Sequence, residues 1–224
     1  FKELELLKFV DKRLEETKDN DFETSQGIFA PWAIYKDDFQ AIGGHDSLYA
    51  PQSKEDSDIF NRFQLAGYET IQTWKGFVYH MTCQVFMKGR ESSEWLAQNL
   101  RSTRNFIRKW GHMVKHDEWL KPIVPPKYNI GFVVDNCDYN MLNELEPWCS
   151  KIYVDTFAED YINKEQLDTQ FDLNERIYSI DSDKTNDIII RFDAEKLTPQ
   201  NFQVIVNMSE LITDSGEVGE MEYD

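Results

Sequence analysis

The residue types that could do chemistry are concentrated between Gly43 and Gly67. In chain order they are Gly43, Gly44, Asp46, Tyr49, Glu55, Asp56, Asp58 and Arg62. A carboxylate in such a cluster can accept a proton from a reacting hydroxyl. The alternative is structural, because acidic side chains also favour the positive N-terminus of a helix and an arginine can pair with them at the surface.

A glycine turn must precede the acidic cluster. Gly43 and Gly44 follow a short amphipathic segment over residues 36–42. Glycine supplies the positive φ angles that a tight turn needs, so we expect the chain to reverse direction here.

A helix must carry the acidic cluster itself. Ser53 stands at a helix N-cap position with Asp56 three residues later, which predicts a helix that begins near residue 54. Gly67 is expected to end it. Asp58 and Arg62 are then i,i+4 neighbours on its surface, while its apolar residues face inward.

The wider pattern resembles a known family. The chain carries Gly-Gly-x-Asp-x-x-Tyr from Gly43, Glu-Asp-x-Asp from Glu55, then Arg62, Gly67 and a predicted strand that ends in Phe-Val-Tyr-His at His80. This order resembles the acceptor-side, carboxyl-terminal half of inverting glycosyltransferases of the GT-A fold, family 2. The resemblance covers about the first half of the chain. It implies a partial GT-A-like region, the fold of nucleotide-diphospho-sugar transferases.

The resemblance also implies roles for the matching residues. Asp56 is implied to be the general base that takes the proton of an acceptor hydroxyl. His80 is implied to be a ligand of the divalent cation, Mn²⁺ or Mg²⁺, that holds the donor diphosphate; the alternative is a histidine hydrogen-bonded to backbone at a strand end. The residues implied on the acceptor or substrate side are Gly43, Gly44, Asp46, Glu55, Asp58, Arg62 and Trp74, the last as a surface on which a sugar ring could stack.

The donor half of that family is not seen in this chain. It ends in an Asp-x-Asp motif after an apolar strand, whereas residues 1–17 predict a helix with Leu4, Leu7, Val10 and Leu14 as its apolar stripe. Residues 19–25 predict a polar connector, and residues 27–35 a strand. We therefore expect the nucleotide-sugar donor to be bound by a half that precedes Phe1 or is encoded elsewhere, which leaves open whether this chain is active alone.

A proline-rich segment, residues 121–127, separates a second part of the chain. Beyond it, the pattern predicts strands over residues 128–134, 151–155, 176–180 and 187–192, and helices over 139–148, 159–167 and 198–206. This alternation predicts a small open α/β domain with a mostly parallel sheet. The expected division is 1–124 for the GT-A-like region, 125–210 for the α/β accessory domain and 211–224 for an acidic disordered tail.

Acidic residues at the ends of these strands form a second candidate site. Asp135, Asp155 and Asp181 lie where open parallel sheets bind ligands. The alternative is that they cap helices and turns. We expect this domain to be a platform for assembly or for docking of the acceptor.

A basic helix is predicted over residues 92–115. Its cationic residues are Arg101, Arg104, Arg108, Lys109 and Lys115. The functional interpretation is an anchor for an anionic donor or acceptor. The alternative is a solvated face that balances a net charge of −17.

Composition argues against several classes. The net charge of −17 and a pI near 4.6 repel phosphate backbones, so we expect no nucleic-acid partner. No sufficiently long apolar run occurs, so we expect no transmembrane segment. Cys83, Cys137 and Cys149 leave one cysteine unpaired, which indicates a reducing compartment; we expect the cytoplasm of a bacterial or virus-infected cell. If the chain forms a homo-oligomer, the second domain is the expected contact.

Two functions from different classes follow. The first is part of a metal-dependent inverting glycosyltransferase, which moves a sugar from a nucleotide-sugar donor to a hydroxyl of a carbohydrate or glycosylated acceptor, with Asp56 as general base. The second is a non-catalytic glycan-binding or assembly module on a transferase-derived scaffold. A hydrolase is a third interpretation, because Glu55, Asp56 and Asp58 could offer the required pair of carboxyl groups.

Overall fold

The computed structural model describes residues 2–20, 22–24, 31–79, 92–216 and 219. The chain divides into two compact units that alternate along the sequence. The first comprises Phe1–Asp46, Glu55–Ala97 and His116–Ile123, and the second comprises Ser47–Lys54, Gln98–Lys115 and Val124–Asp224. The predicted division at residue 125 stays a prediction.

The first unit contains helices and a short antiparallel ladder. Its elements are α1 (Glu3–Glu16), α2 (Lys36–Ala41), α3 (Glu55–Leu65), β1 (Phe22–Thr24) and β2 (Ile71–Thr73), with β1 paired to β2. The helices predicted over residues 1–17 and from residue 54 are confirmed. The amphipathic segment before the glycine pair is helical as well.

A small aromatic core holds the first unit together. Ile59, Phe60 and Phe63 are buried on α3, as its apolar pattern predicts. Trp32 packs against them, with its ring 5.5 Å from that of Phe63. Further partly buried contacts come from Ile34, Phe39 and Ile42. Helical periodicity therefore predicts correctly which face of α3 is inside.

The apolar stripe of α1 is exposed. Leu4 and Leu7 are 74% and 50% exposed, and α1 has no buried residue. The periodic pattern thus predicts the helix but not burial of its apolar face within the described residues.

The strand predictions for the first half are wrong where the structure describes them. Residues 31–35 and 77–79 have no strand structure, and residues 27–30 and His80 lie outside the described residues. The observed strands are Phe22–Thr24, in the segment predicted as a connector, and Ile71–Thr73. Strands form where a partner satisfies their backbone groups, and these two pair with each other.

The second unit contains a four-stranded parallel sheet, which confirms the predicted α/β class and sheet type. The strands are β3 (Ile130–Asp135), β4 (Lys151–Val154), β5 (Ile177–Ser179) and β6 (Ile188–Asp193), in the spatial order β5-β4-β3-β6. The helices of this part are α5 (Tyr139–Leu145), α6 (Glu159–Glu165), α7 (Phe202–Val206) and α8 (Met208–Ser215).

The core of the second unit lies on this sheet. Phe132 and Val134 of β3 and Ile152 of β4 are almost fully buried, with Leu142 and Leu145 of α5 against them. A continuous apolar run is typical of a central parallel strand, which is covered on both faces. The apolar run of β6 would suit a buried strand as well, but β6 lies at an edge of the sheet and Ile189 is 42% exposed.

Several helix boundaries differ from prediction, three of them with a bearing on the candidate sites and the predicted tail. The basic helix, α4, spans Ser93–Trp110 and ends at Gly111, whose φ is +79°, rather than at residue 115. The last predicted helix begins at Phe202 instead of Thr198. α8 extends through Ser215 and so covers the first residues of the predicted tail. In the part of the chain that the structure describes, no helix is long and apolar enough to cross a membrane.

Candidate functional site

The glycine turn after α2 has the predicted geometry. Gly43 and Gly44 have φ angles of +88° and +64°. Their amide groups donate to the carbonyl oxygens of Gln40 and Phe39, both at 2.9 Å, and so close the end of the helix. A Cβ on Gly44 would lie 3.1 Å from the Phe39 ring. Glycine is therefore required there for conformation and for space.

An arginine connects α3 to the end of α2. Arg62 Nε donates to Asp58 Oδ2 at 2.9 Å, and Arg62 Nη1 donates to the carbonyl oxygen of Ile42 at 2.5 Å. The Asp58 carboxylate is fully buried and the Arg62 side chain is 18% exposed. The i,i+4 pairing is as predicted, but the pair is internal rather than on the surface. It fixes α3 relative to the glycine turn.

Two carboxylates in the first turn of α3 remain free. Glu55 and Asp56 are half-buried. Neither has a hydrogen-bond or ion-pair partner within the described ranges, in contrast to Asp58. Asp56 is thus a partly exposed carboxylate on a helix that the Asp58–Arg62 pair fixes.

Ser53 does not cap α3 as predicted. Its φ is +78° and that of Lys54 is +72°, whereas an N-cap residue has an extended backbone. The Ser53 hydroxyl donates instead to Asn99 Oδ1 at 2.7 Å. This long-range bond uses the group that the capping pattern would need.

The remaining residues that the resemblance implies are Trp74, Asp46 and His80. Trp74 follows β2 and its ring lies beneath the Arg13 guanidinium of α1, 5.6 Å from ring centroid to Cζ. Asp46 is half-buried in the turn after Gly44. His80, the implied metal ligand, lies outside the described residues. Among the residues described, no group of three or more His, Cys, Asp or Glu side chains could hold a metal ion.

The basic helix differs most from prediction in the second unit, because two of its arginines, Arg104 and Arg108, are internal. The Arg108 side chain is fully buried; its Nη2 and Nε donate to Glu146 Oε2 at 2.6 and 2.9 Å. Arg104 Nε donates to Glu165 at 2.7 Å, and Arg176 Nε donates to Glu146 at 2.6 Å. Arg104 and Arg108 are therefore neither an anchor for an anionic ligand nor part of a solvated face.

The centre of this network is Glu146, which sequence analysis overlooked. Burial by itself would raise the pKa of Glu146, but Arg176 and Arg108 outweigh it and lower that pKa to about 2. Tyr161 also donates to Glu146, at 3.0 Å. A glutamate between apolar Leu145 and Pro147 was the available signal. We call Arg104, Arg108, Glu146, Tyr161, Glu165 and Arg176 the buried charge network.

The remaining cations of α4 are also engaged. Arg101 pairs with Asp168 at 3.1 Å. Lys109 lies over the rings of Tyr49 and Trp110, at 5.8 and 5.7 Å from their centroids. Lys115, just beyond the helix, pairs with Glu210.

The carboxyl edge of the sheet contains the second set of predicted residues. The chain runs from β3 outward through β4 to β5 and then returns to β6 on the other side of β3, so the crevice expected to bind ligands lies at the carboxyl ends of β3 and β6. Asp135 there forms a two-point pair with Arg191, at 2.9 and 2.8 Å. Asn136, with a φ of +56°, donates through Nδ2 to Asp193 at 3.0 Å. These groups satisfy each other across the crevice.

Asp155, at the end of β4, holds the loop that follows β3. Its carboxylate accepts from the backbone amides of Asn136 and Cys137, at 2.8 and 3.0 Å. The bond from Cys137 contributes most to keeping the pKa of Asp155 below its ordinary value. The amides that could face a phosphate in a nucleotide-binding loop are therefore used internally. For Asp155 the turn-stabilising alternative is the one observed.

Comparisons with protein-family models, with curated proteins and with solved structures found no match to this chain.

Proposed function

We propose that this chain is the acceptor-side part of an inverting glycosyltransferase, in which Asp56 is the general base. The observation that carries the proposal is the Asp56 carboxylate, half-buried and without a partner among the described residues, in the first turn of a helix fixed by Arg62. The glycine turn and the Glu-Asp-x-Asp order support it by their resemblance to family 2 enzymes.

The proposed chemistry is a single displacement at the anomeric carbon. The acceptor hydroxyl attacks that carbon and gives its proton to an Asp56 carboxylate oxygen, while the nucleoside diphosphate leaves from the opposite face. The configuration is therefore inverted. One carboxylate suffices, unlike hydrolysis, where two carboxyl groups flank the bond.

The pair of Asp58 and Arg62 acts as a positioning element in this proposal. Its bonds to α3 and to the Ile42 carbonyl hold Asp56 in a fixed position relative to the glycine turn. A Mn²⁺ or Mg²⁺ ion bound with the donor would neutralise charge on the leaving diphosphate. His80 is proposed as its ligand through the resemblance alone.

The test is substitution of Asp56 in the natural full-length gene product. Transfer is measured as nucleoside diphosphate release from UDP-glucose, UDP-galactose, UDP-N-acetylglucosamine and GDP-mannose with Mn²⁺ and mixed glycan acceptors. Asp56→Asn should lower the rate about 100- to 10,000-fold, the usual range for loss of a general base. Donor binding and thermal midpoint should not change, because Asp56 has no structural partner among the described residues.

The matched control is Asp37→Asn, which changes an exposed aspartate in the first turn of α2. It should leave the rate within about twofold, because it removes no transition-state contact. A comparable rate in Asp56→Asn would refute the base assignment. Metal-independent glycan binding without donor consumption would favour the non-catalytic module instead.

A further inference from the structure

In the second unit, a cavity opens at the carboxyl ends of β4 and β5. Its volume is about 650 Å³. Its walls come from three segments of the second unit: residues 154–159, Ile162 and Asn163 of α6, and residues 174 and 177–181. Loops at the carboxyl ends of parallel strands commonly bind small molecules; this cavity lies at that end of the sheet, at β4 and β5 rather than in the crevice between β3 and β6.

Three polar side chains of this cavity are free to bind. Glu159 and Asn163 lie on one face of α6, because they are four residues apart. Asp181 follows β5 and lines the same cavity. The side chains of these three residues have no hydrogen-bond or ion-pair partner within the described part of the chain. Asp155 differs from them, since loop amides occupy its carboxylate.

The apolar side chains give the cavity a floor and an exposed aromatic ring. Val154 and Ile177 are buried at 3% and 8% exposure and form part of the floor. Phe157 lines the same cavity but is 80% exposed. An aromatic ring in this position offers a flat apolar surface to whatever enters.

The charge of the lining restricts the class of ligand. The lining contains Asp155, Glu159 and Asp181 but no lysine or arginine, so it repels anionic groups such as phosphates. The described carboxylates do not form a group that could hold a metal ion. A neutral ligand that offers both hydroxyl groups and an apolar face fits this combination of free polar side chains and an exposed aromatic ring.

We propose that this cavity is a binding site for a neutral sugar. One face of a pyranose ring stacks on Phe157, and its hydroxyl groups bond to Asn163, Glu159 and Asp181. Carboxylates and amides accept from and donate to hydroxyl groups, which suits this set of side chains. The site is separate from the Asp56 site, and its existence does not depend on transferase activity.

The experiment measures direct binding to the full chain by saturation-transfer NMR and by ¹H-¹⁵N titration. The probes are glucose, galactose, mannose and N-acetylglucosamine, each compared with its 6-phosphate. We expect at least one neutral sugar to bind and its phosphate to bind about tenfold more weakly or not at all, since the lining is acidic. Asp56→Asn should leave this binding unchanged, so failure of the proposed catalysis and failure of this site can be told apart.

Two exposed apolar residues give a matched pair of variants. Phe157→Ala should weaken binding about tenfold through loss of the stacking surface. Leu167→Ala, at a residue that is 86% exposed and does not line the cavity, should leave it unchanged. Asn163→Ala should weaken binding as a second, independent variant.

The proposal is overturned if no neutral sugar binds the wild-type chain. It is also overturned if Phe157→Ala and Asn163→Ala both bind like wild type, because the sugar would then lie elsewhere. A third result would replace the sugar site with a cation site. In that case Mn²⁺ binds saturably and shifts the NMR signals of Glu159 and Asp181, while the sugars shift neither.

Discussion

Charged residues behave in opposite ways on two helices, one from each unit. In the first unit, α3 keeps one buried pair, Asp58 with Arg62, and leaves Glu55 and Asp56 of its first turn free. In the second unit, Arg104 and Arg108 of α4 belong to the buried charge network, centred on Glu146. Charged side chains thus remain available for chemistry on one helix and serve as internal structure on the other.

The difference shows how burial decides what a charge can do. A buried charge needs a partner, because the loss of hydration is otherwise uncompensated. Once paired, it is no longer available to a ligand. A carboxylate that stays near solvent, such as Asp56, needs no partner and can meet a substrate. The following predictions test this contrast, beginning with the largest effect.

Removal of the central charge of the network should strongly destabilise the second unit. Glu146→Gln leaves Arg108 and Arg176 without a counterion inside the protein, which should lower the free energy of unfolding by about 3 to 5 kcal/mol. Urea denaturation measures this loss. The control Glu144→Gln, at an exposed glutamate of α5, should change stability by less than about 0.5 kcal/mol. Equal effects from both variants would contradict an internal role for Glu146.

Removal of the buried carboxylate in the first unit should have a smaller effect. Asp58→Asn should cost about 2 kcal/mol, because Arg62 is partly exposed and keeps its bond to Ile42. Hydrogen exchange in Glu55–Leu65 reports the loss locally. Asp56→Asn is the comparison on the same helix and should leave exchange there unchanged. If Asp56→Asn loosened α3 as much as Asp58→Asn does, Asp56 would be structural and the contrast would fail.

Substitution of two glycines should separate the energetic cost of a left-handed backbone from the cost of a close side-chain contact. Gly44→Ala forces a left-handed alanine against the Phe39 ring, while Gly67→Ala meets nothing within 4 Å at a φ of +76°. Each should lose about 1 kcal/mol for the backbone, and Gly44→Ala should lose more because of the contact. Thermal unfolding measures the difference. Equal losses would mean that the Phe39 ring gives way without cost.

A buried histidine should make the second unit sensitive to acid. His112 is 1% exposed, and its pKa lies below the ordinary value mainly because burial disfavours the charged ring. The charge of Lys115 also lowers this pKa, whereas the Met113 carbonyl and the charge of Glu210 raise it. His112 therefore binds a proton more readily in the unfolded chain than in the folded protein. The stability contributed by neutral His112 is therefore present above the ordinary pKa of 6.5 and is lost as the pH falls below it.

The measurement is unfolding free energy between pH 7 and pH 5 for wild type and for His112→Gln. The variant should show a flatter dependence on pH. His116→Gln, at an exposed histidine, should keep the slope of wild type. If His112→Gln kept the wild-type slope of unfolding free energy against pH, other groups would be responsible for the acid sensitivity.

Local patterns predicted much of the fold because they need only neighbouring residues. The α3 helix, its inward face and the pairing of Asp58 with Arg62 follow from helical spacing. The strands and helices of the second half follow from alternation of apolar runs with periodic segments. The glycine turn follows from the rare φ angles that it requires. At the first candidate site, the sequence shows that residue 56 is a carboxylate within an acidic cluster. Only the structure shows that Asp56 has no partner among the described residues.

The sequence by itself determined the helix ends set by glycine, and the order of elements and parallel α/β character of the second half. Only the tertiary structure decided which charges are internal, because Arg104 and Arg108 find Glu165 and Glu146 at 61 and 38 residues along the chain. It also decided that Phe22–Thr24 pairs with Ile71–Thr73, since strand partners are chosen in space. Periodicity fixes what a segment can form, whereas the availability of a group depends on what packs against it.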